Sequence, residues 1–273
     1  MNLKKVSVLY FSPTKNTEKV VSIIAEVIAT KFNVPVTFIN YTNASIRNNQ
    51  YKFEKDELLI FGSCVYAGRL PNKLLPFLQR NIKANQTRCV PIVTYGNRSF
   101  DYALKEAQQI LEGHGCIVVG GAAIPSQHAF TRELACGRPD DKDLEEIKIF
   151  AESIVRKLLL IETADRIELP SNSQTSEYYI PLKEDGTPAK FLKIKPKTDL
   201  ERCNQCGICA NICPLQSISH DHFDEINGIC IKCHACIQQC PKHAKYFDDE
   251  DFLSHVKMLE QTYKNKKENL FYL

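Results

Sequence analysis

Two stretches of this chain share one cysteine spacing: residues 203–214 read CNQCGICANICP, and residues 230–241 read CIKCHACIQQCP. Position 230 repeats position 203, so the segment is an internal duplication with an offset of 27 residues. Three cysteines separated by two residues each wrap the backbone around one iron–sulfur cubane, and the fourth points away toward a second cubane. The repeat therefore predicts two [4Fe–4S] clusters, each held by cysteines from both halves.

The fourth cysteine of each half is predicted to cross over to the other cluster. The predicted ligand sets are Cys203, Cys206, Cys209 and Cys240 for one cluster, and Cys230, Cys233, Cys236 and Cys213 for the other. Structural zinc is the alternative, but zinc sites usually show two separated Cys-x-x-Cys pairs. His220 and His234 lie in the same segment, but the eight cysteines leave no ligand position for them. The segment resembles the two-cluster ferredoxins, which implies one-electron transfer at low potential, oxygen sensitivity and an anaerobic source.

The rest of the composition is that of an ordinary globular protein. Eight of the twelve cysteines lie between 203 and 240, and in a reducing cytosol such density favours a metal site over disulfides. A net charge of +3 over 273 residues gives no support for nucleic acid or an anionic membrane as partner. Apolar runs stay well below the roughly 20 residues of a membrane span, and the N-terminal one is too short for a signal peptide. We therefore expect a cytoplasmic protein.

The first 160 residues alternate strand and helix patterns. Short apolar runs predict strands at 6–11, 34–39, 58–62, 90–95 and 117–124, and helical patterns fall between them at 20–28, 71–81, 99–112 and 142–160. Strands that are almost continuously apolar indicate a parallel sheet buried on both faces. The expected fold class is α/β: a flavodoxin-like, doubly wound, five-stranded parallel sheet in the order 2-1-3-4-5, followed by a small α+β domain with the two clusters.

Four segments are predicted along the chain. They are a flavodoxin-like domain at 1–162, a linker at 163–197, the two-cluster domain at 198–248, and a C-terminal helix with a tail at 249–273. The linker is polar and rich in proline, and whether it hinges is left open. Its lysines, at positions 190, 193, 195 and 197, form either a docking patch for an acidic partner or a solvated surface.

The loop after the first predicted strand is rich in hydroxyl groups and leads directly into a helix. Its candidate ligands for a phosphate are Ser12, Thr14, Lys15, Asn16 and Thr17. A helix N-terminus supplies unpaired N–H groups and partial positive charge there. The loop resembles the phosphate loop of flavodoxins, which implies FMN, although Lys15 stands where flavodoxins usually place glycine. The alternative is an ordinary helix capped by serine.

Two further loops follow the third and fourth predicted strands, and ligands of doubly wound folds bind where such strand ends meet. The candidate FMN-binding residues in them are Ser63, Val65, Tyr66, Ala67, Gly68, Thr94, Tyr95, Gly96, Asn97, Phe100 and Asp101. Tyr66 and Tyr95 are candidates to stack on the flavin ring; alternatively, they only close the rim of the domain. His128, after the fifth strand, is either a proton or hydrogen-bond donor at that rim or a packing residue. Cys64 is expected to be a buried, inert thiol.

Several short motifs together indicate a narrower family. FSPT at 11–14, VYAGRLP at 65–71, YGNR at 95–98 and GRPD at 137–140 precede the cysteines. The chain resembles the flavodoxin–ferredoxin fusion proteins of anaerobic bacteria and archaea, sometimes called the EFR1 family. The resemblance implies FMN and two clusters in one polypeptide, and it assigns no substrate.

Three functions remain open from the sequence. The first is an electron carrier that links one- and two-electron steps between soluble redox partner proteins. The second is an FMN-dependent reductase of a small-molecule acceptor, which a deep cavity above the flavin would favour. The third is a redox or iron sensor, for which no DNA-binding motif is evident. No Gly-x-Gly-x-x-Gly motif follows a strand, so direct NAD(P)H oxidation has no support.

Overall fold

The computed structural model describes residues 3–160 and 166–273. A doubly wound sheet occupies the first part of the chain, and its elements follow one another in the predicted alternation. They are β1 (Lys5–Phe11), α1 (Asn16–Phe32), β2 (Val36–Asn40), β3 (Tyr51–Phe53), β4 (Glu57–Cys64), α2 (Leu75–Arg80), β5 (Ile82–Ala84), β6 (Thr87–Tyr95), α3 (Ala103–Gly113), β7 (Cys116–Val118), β8 (Gly121–Pro125) and α4 (Asp141–Leu160).

The main sheet has the strand order β2-β1-β4-β6-β8, and these neighbours all pair in parallel. This is the predicted order 2-1-3-4-5. The fifth predicted strand is divided into β7 and β8, which pair with the first and second halves of β6. The division falls at Gly120, where a Cβ atom would overlap the side chain of Ile154 on α4.

Each face of the sheet carries its own apolar core. Val20, Val21 and Ile24 of α1 recur at helical spacing and pack with residues of α4 on one face. On the other face, Phe11 and Phe61 of the strands pack with residues of α2 and α3. The predicted helix at 71–81 is shorter in the structure, because a 3-10 turn over Asn72–Leu74 precedes α2.

The remaining elements belong to the cysteine-rich segment and the C-terminus. They are β9 (Lys197–Thr198), α5 (Ile208–Asn211), α6 (Ala235–Gln238), β10 (Lys245–Tyr246), α7 (Glu250–Thr262) and β11 (Leu270–Tyr272). β9 and β10 pair antiparallel and close the small domain. The predicted C-terminal helix is present as α7, and the Asp249 side chain caps it by accepting from Phe252 N at 2.9 Å.

The C-terminal tail extends the large sheet. β11 pairs antiparallel with β8 through Leu270 and Ala123, so the edge strand of the first domain is covered by the end of the chain. The sheet therefore carries an added antiparallel edge strand beside the five predicted ones. Among the described residues, no helix is long and apolar enough to cross a membrane.

The segment between the two domains is described from residue 166 onward, and the predicted boundary at 162/163 lies outside the described residues. The described part is fixed at several points. Leu169 is buried in the core, Asn172 N donates to Asp101 O at 2.8 Å, and Tyr179 N donates to Ala67 O at 2.8 Å. This part of the chain therefore lies along the loops that follow β4 and β6.

Candidate functional site

The cysteines line two cavities, and each cavity takes three cysteines from one repeat and the fourth from the other. The outer cavity is lined by Cys203, Cys206, Cys209 and Cys240, and the inner cavity by Cys213, Cys230, Cys233 and Cys236. The structure thus brings together both sets in the predicted crossover. No three His, Cys, Asp or Glu side chains in the described ranges are arranged as ligands of one single metal ion.

The two repeats adopt the same backbone conformation. Gly207 and His234 both lie in the left-handed region, with φ of 72° and 60°. The fourth cysteine of each repeat accepts a backbone N–H bond at the same position, from Ser217 N to Cys213 Sγ at 3.4 Å and from Ala244 N to Cys240 Sγ at 3.3 Å. The duplication seen in the sequence is therefore a duplication in three dimensions.

The cavity walls disfavour free thiolates. Burial raises the pKa of Cys233 to about 12, and it also raises the pKa of Cys230, where the Lys232 charge opposes the effect only partly. A thiolate in such a place needs the positive charge of bound iron to stabilise it. The donor set and its surroundings therefore fit a metal cluster.

The loop after β1 has the features expected of a phosphate site. The N–H groups of Thr14, Asn16 and Thr17 donate to no protein acceptor in residues 3–160 or 166–273, and they point from the start of the 17-residue helix α1. Lys15 is exposed and has φ of 66°, the left-handed conformation that glycine usually supplies. Ser12 Oγ accepts from Glu18 N at 3.0 Å, so the predicted serine cap is also present.

The loop after β4 makes a tight turn. Tyr66 N and Arg69 O are 2.8 Å apart, Arg69 N and Tyr66 O are 3.0 Å apart, and Ala67 and Gly68 between them both have positive φ. A Cβ atom at Gly68 would overlap the side chain of Asp101 in the loop after β6. Tyr66 remains half-buried, with its ring 6.2 Å from that of Phe11. Part of the Tyr66 ring is therefore accessible for stacking against a flat ligand.

Five of the candidate flavin-binding side chains from the loops after β4 and β6 are buried. Tyr95 is 5% exposed and packs on Phe100, with ring centroids 5.6 Å apart, inside the core. Its predicted stacking role is therefore wrong for this structure. Thr94 bonds Thr17 through their hydroxyl groups at 2.7 Å, and Ser63 is fully buried. Thr94, Ser63 and Phe100 support the loops from below. Asn97 is the fifth buried residue, and its Oδ1 atom has no partner.

Asn97 is held by the C-terminal segment, a contact that the sequence did not indicate. Its Nδ2 donates to Asn265 O at 2.9 Å and also to Tyr263 O, and Lys267 Nζ donates to Arg98 O at 2.7 Å. Two carbonyl acceptors fix the amide orientation and leave Oδ1 as a buried acceptor without a partner. Such an atom fits a ligand N–H group.

His128 reaches the loop after β6. A Cβ atom at Gly96 would overlap the His128 ring, and Phe130 N donates to His128 Nδ1 at 3.1 Å. Burial lowers the pKa of His128 to about 4, so the ring is neutral near pH 7. The structure thus places His128 beside Gly96, as expected for a residue at this rim.

We expect Gly96→Ala to lower the free energy of unfolding by about 1–3 kcal/mol, because the new methyl group must displace the His128 ring and its backbone. Gly113→Ala is the matched control: nothing lies within 4 Å of its Cβ position, and a change of at most about 1 kcal/mol, in the stabilising direction, is expected there. Urea unfolding measures both. Equal stability of the two variants would show that His128 does not pack against Gly96.

The second cysteine repeat is seated on these loops. Gln239 Nε2 donates to Pro13 O and Gln238 Nε2 donates to Ala129 O, each at 2.9 Å. Arg47 donates to Pro214 O beside Cys213. Leu215 and Ile231 line the inner cavity and also pack against the core of the first domain. The inner cavity is therefore in direct contact with the sheet domain.

Tyr66 stands between the loops and the inner cavity. Burial raises the pKa of its phenol well above the ordinary value, and the thiols of Cys64, Cys233 and Cys230 raise it further. The pKa of Cys64 is itself raised to about 12 by burial, which agrees with an inert thiol. Both cavities are lined by residues of the cysteine-rich segment, but the outer one has an exposed cysteine, Cys206.

Comparison with known proteins now adds to this geometry. Two family models, each described as a 4Fe-4S binding domain, match residues 196–219 and 227–248. The matches indicate two [4Fe–4S] clusters in this chain. The strand order and these matches together define an iron–sulfur electron-transfer protein in a flavodoxin–ferredoxin arrangement. No relative was found among curated proteins.

Solved structures similar to the chain include flavodoxins. A flavodoxin from the domain Archaea is 19% identical over 57% of this chain and 99% of its own, with a TM-score of 0.42. Oxidised Flavodoxin 2 from Bacillus cereus is 20% identical over 56% and 99%, with a TM-score of 0.43. Fusobacterium nucleatum flavodoxin bound to flavin mononucleotide is 14% identical over 57% and 99%, with a TM-score of 0.39.

Proposed function

We propose that this chain is a flavodoxin–ferredoxin fusion protein that binds FMN on the loops after β1, β4 and β6 and exchanges electrons between that flavin and the cluster of the inner cavity. FMN, when bound, takes up or releases electrons singly or in pairs, whereas each cluster carries one. The observation that carries the proposal is the seating of the inner cavity on the same loops, with Tyr66 between them.

The phosphate end of the proposed site is the start of α1. The three unpaired N–H groups of Thr14, Asn16 and Thr17 are the donors that a phosphate requires, and the helix dipole favours its charge. Lys15 adds a positive side chain at the same turn. The left-handed backbone at Lys15 keeps the shape that glycine gives this turn in flavodoxins, so the lysine adds charge without closing the loop.

The ring end of the proposed site lies between the loops after β4 and β6. Tyr66 offers a half-buried aromatic face, and Asn97 Oδ1 offers an acceptor for the N–H group of a flavin ring. Gly96 lies directly against the His128 ring, which occupies the place that a side chain at position 96 would need. A single aromatic residue, Tyr66, thus takes the stacking role for which two were predicted.

The arrangement of the two cavities gives the clusters different tasks. The inner cluster faces the proposed flavin, and the outer cluster faces solvent at Cys206. With the cofactors bound, the exposed Cys206 would make the outer cluster accessible to a soluble one-electron partner, and the residues of the inner cavity would hold the other cluster beside the proposed FMN loops. The shared crossover of Cys213 and Cys240 keeps the two clusters adjacent.

A carrier is favoured over a reductase because protein covers the loops on several sides. Tyr179 N bonds Ala67 O, Asn265 O bonds Asn97, and Gln238 bonds Ala129 O. These contacts come from the segment after residue 166, from the C-terminus and from the second repeat. They leave the inner cluster as the neighbour of the proposed flavin.

The proposal predicts the cofactor content of anaerobically purified protein. We expect about eight irons per chain, four for each cluster, together with one FMN. Riboflavin, which lacks the phosphate, should bind at least tenfold more weakly, because charge-assisted hydrogen bonds contribute about 1.5–3 kcal/mol each. Iron and flavin quantitation with fluorescence titration measures this. Eight irons without flavin, even after FMN is added, would contradict the proposal and leave a ferredoxin on a flavodoxin-shaped docking module.

A further inference from the structure

The two repeats differ at one position where their backbones agree. Gly207 in the outer repeat corresponds to His234 in the inner repeat, and both have left-handed φ angles of 72° and 60°. The left-handed conformation is unfavourable for residues other than glycine, because their Cβ atom comes close to the following carbonyl oxygen. Histidine tolerates it better than most residues. The inner repeat therefore has a less favourable residue for the left-handed conformation at His234 than the outer repeat has at Gly207.

The His234 ring is fixed in one place by aromatic neighbours. It is 6% exposed and lies 4.8 Å from the ring of Phe130, 5.1 Å from that of Phe247 and 5.7 Å from that of Phe252. Phe130 belongs to the first domain and Phe252 to α7. The imidazole is thus clamped where the first domain, the inner repeat and the C-terminal helix meet.

One nitrogen of this ring lacks a partner. Within residues 3–160 and 166–273, the buried side-chain atoms without a hydrogen bond are Tyr41 OH, Asn97 Oδ1 and His234 Nε2. A buried polar group without a partner is destabilising, because it has lost its hydrogen bonds to water. Of these three residues, His234 is the one that lines the inner cavity, beside Cys233. Cluster sulfur atoms in that cavity are hydrogen-bond acceptors.

We propose that His234 donates a hydrogen bond from Nε2–H to the inner [4Fe–4S] cluster and thereby raises the reduction potential of that cluster. A donor aimed at sulfur stabilises the reduced cluster, which carries the extra negative charge, more than the oxidised one. The outer repeat has Gly207 at the corresponding position, which has no side chain that could donate. We therefore expect the His234 hydrogen bond to act on the inner cluster alone.

If His234 only packed against its aromatic neighbours, the cluster potentials would not depend on its N–H group. A phenylalanine would fill the space between Phe130, Phe247 and Phe252 equally well and would bury no unpaired nitrogen. The inference rests on the clusters and on His234, and it does not depend on FMN. An experiment that disproves the role of His234 would therefore leave the proposed flavin site untouched, and the reverse also holds.

The test is an EPR-monitored potentiometric titration of the full chain carrying both clusters. In His234→Phe we expect the reduction potential of one cluster to fall, because the N–H donor is lost. The potential of the other cluster should remain unchanged, because the aromatic ring still fills the same space. His234→Asn, which restores an N–H donor and tolerates the left-handed backbone, should recover part of the shift. His220→Phe is the control: His220 is exposed and lines neither cavity, so both potentials should stay unchanged.

A direct readout is pulsed EPR of the reduced protein with 15N-labelled histidine, where a coupling between the cluster and nitrogen is expected and should vanish in His234→Phe. A fully loaded His234→Phe protein with both potentials at the wild-type values would overturn the proposal. If that variant loses iron, His234→Gly, which copies Gly207, is compared with His234→Asn. Equal potentials in those two variants would overturn it as well.

Discussion

Replacing Cys213 with alanine is expected to remove the inner cluster, although Cys213 belongs to the first repeat. The structure places Cys213 on the wall that Cys230, Cys233 and Cys236 line. Iron should fall from about eight to about four atoms per chain, because each cluster holds four. Reduction of the flavin through the clusters should be lost in the same variant, since the outer cluster is then left without its neighbour.

Double variants decide which cluster is lost. Cys213→Ala with Cys233→Ala should keep about four irons, because both changes affect the same cluster. Cys213→Ala with Cys206→Ala should keep almost none. Cys136→Ala is the control, because Cys136 is exposed and lines neither cavity. If the second double variant retained four irons instead, Cys213 would belong to the outer cluster and the crossover would be wrong.

Arg138→Ala is expected to lower the free energy of unfolding by about 3–5 kcal/mol, because it leaves a buried carboxylate unpaired. The Arg138 guanidinium bonds both Asp143 oxygens, at 2.8 and 2.6 Å, and both side chains are at most 4% exposed. Its remaining nitrogen donates to Lys267 O at 2.5 Å, in the segment that leads to β11. The variant should therefore also loosen the edge strand.

The contribution of the Arg138–Asp143 ion pair to stability decreases as the pH falls. Burial alone would raise the pKa of Asp143, but hydrogen bonds from Arg138, the Asp140 backbone contact and Asn269 outweigh it and lower the pKa to about 2. A depressed folded pKa contributes stability above the unfolded value of about 3.9, and that contribution is lost as pH falls toward 2. Urea unfolding at pH 7 and pH 3 should show a smaller difference between wild type and Arg138→Ala at pH 3.

Arg156→Ala is the matched control on the same helix. Arg156 is exposed, and among the described residues it bonds only Ser153 Oγ, at 2.6 Å, so a change within about 0.5 kcal/mol is expected. Hydrogen exchange of Leu270–Tyr272 should accelerate in Arg138→Ala and not in Arg156→Ala. Equal unfolding curves for the two variants would mean that the buried pair does not hold the C-terminus.

Local patterns predicted much of this molecule. The cluster cavities follow from cysteine spacing because each ligand set is formed by a short turn and one crossing residue. The parallel strand order follows from near-continuous apolar runs such as 58–61 on β4. The proposed phosphate loop could be recognised because hydroxyl residues and the start of α1 are adjacent in sequence.

Other features depend on contacts between distant parts of the chain. β11 is three residues long, and its strand conformation exists because the β8 edge is open to it. Asn97 is held by hydrogen bonds to the backbone carbonyls of Tyr263 and Asn265, which are distant from it in the sequence. The burial of Tyr95 had a local signal that was missed: Val93 and Tyr95 alternate with Thr94 along β6, so Tyr95 shares the core face of Val93.

The most direct test of the proposed electron path is a single-turnover experiment on anaerobic protein reconstituted with FMN. A substoichiometric one-electron donor is mixed in, and cluster and flavin absorbance are followed at several protein concentrations. We predict that clusters are reduced first and that electrons reach the flavin at a rate independent of protein concentration, because donor and acceptor share one chain. A flavin reduction rate that rises in proportion to protein concentration, or a flavin that stays oxidised while both clusters are reduced, would contradict the account.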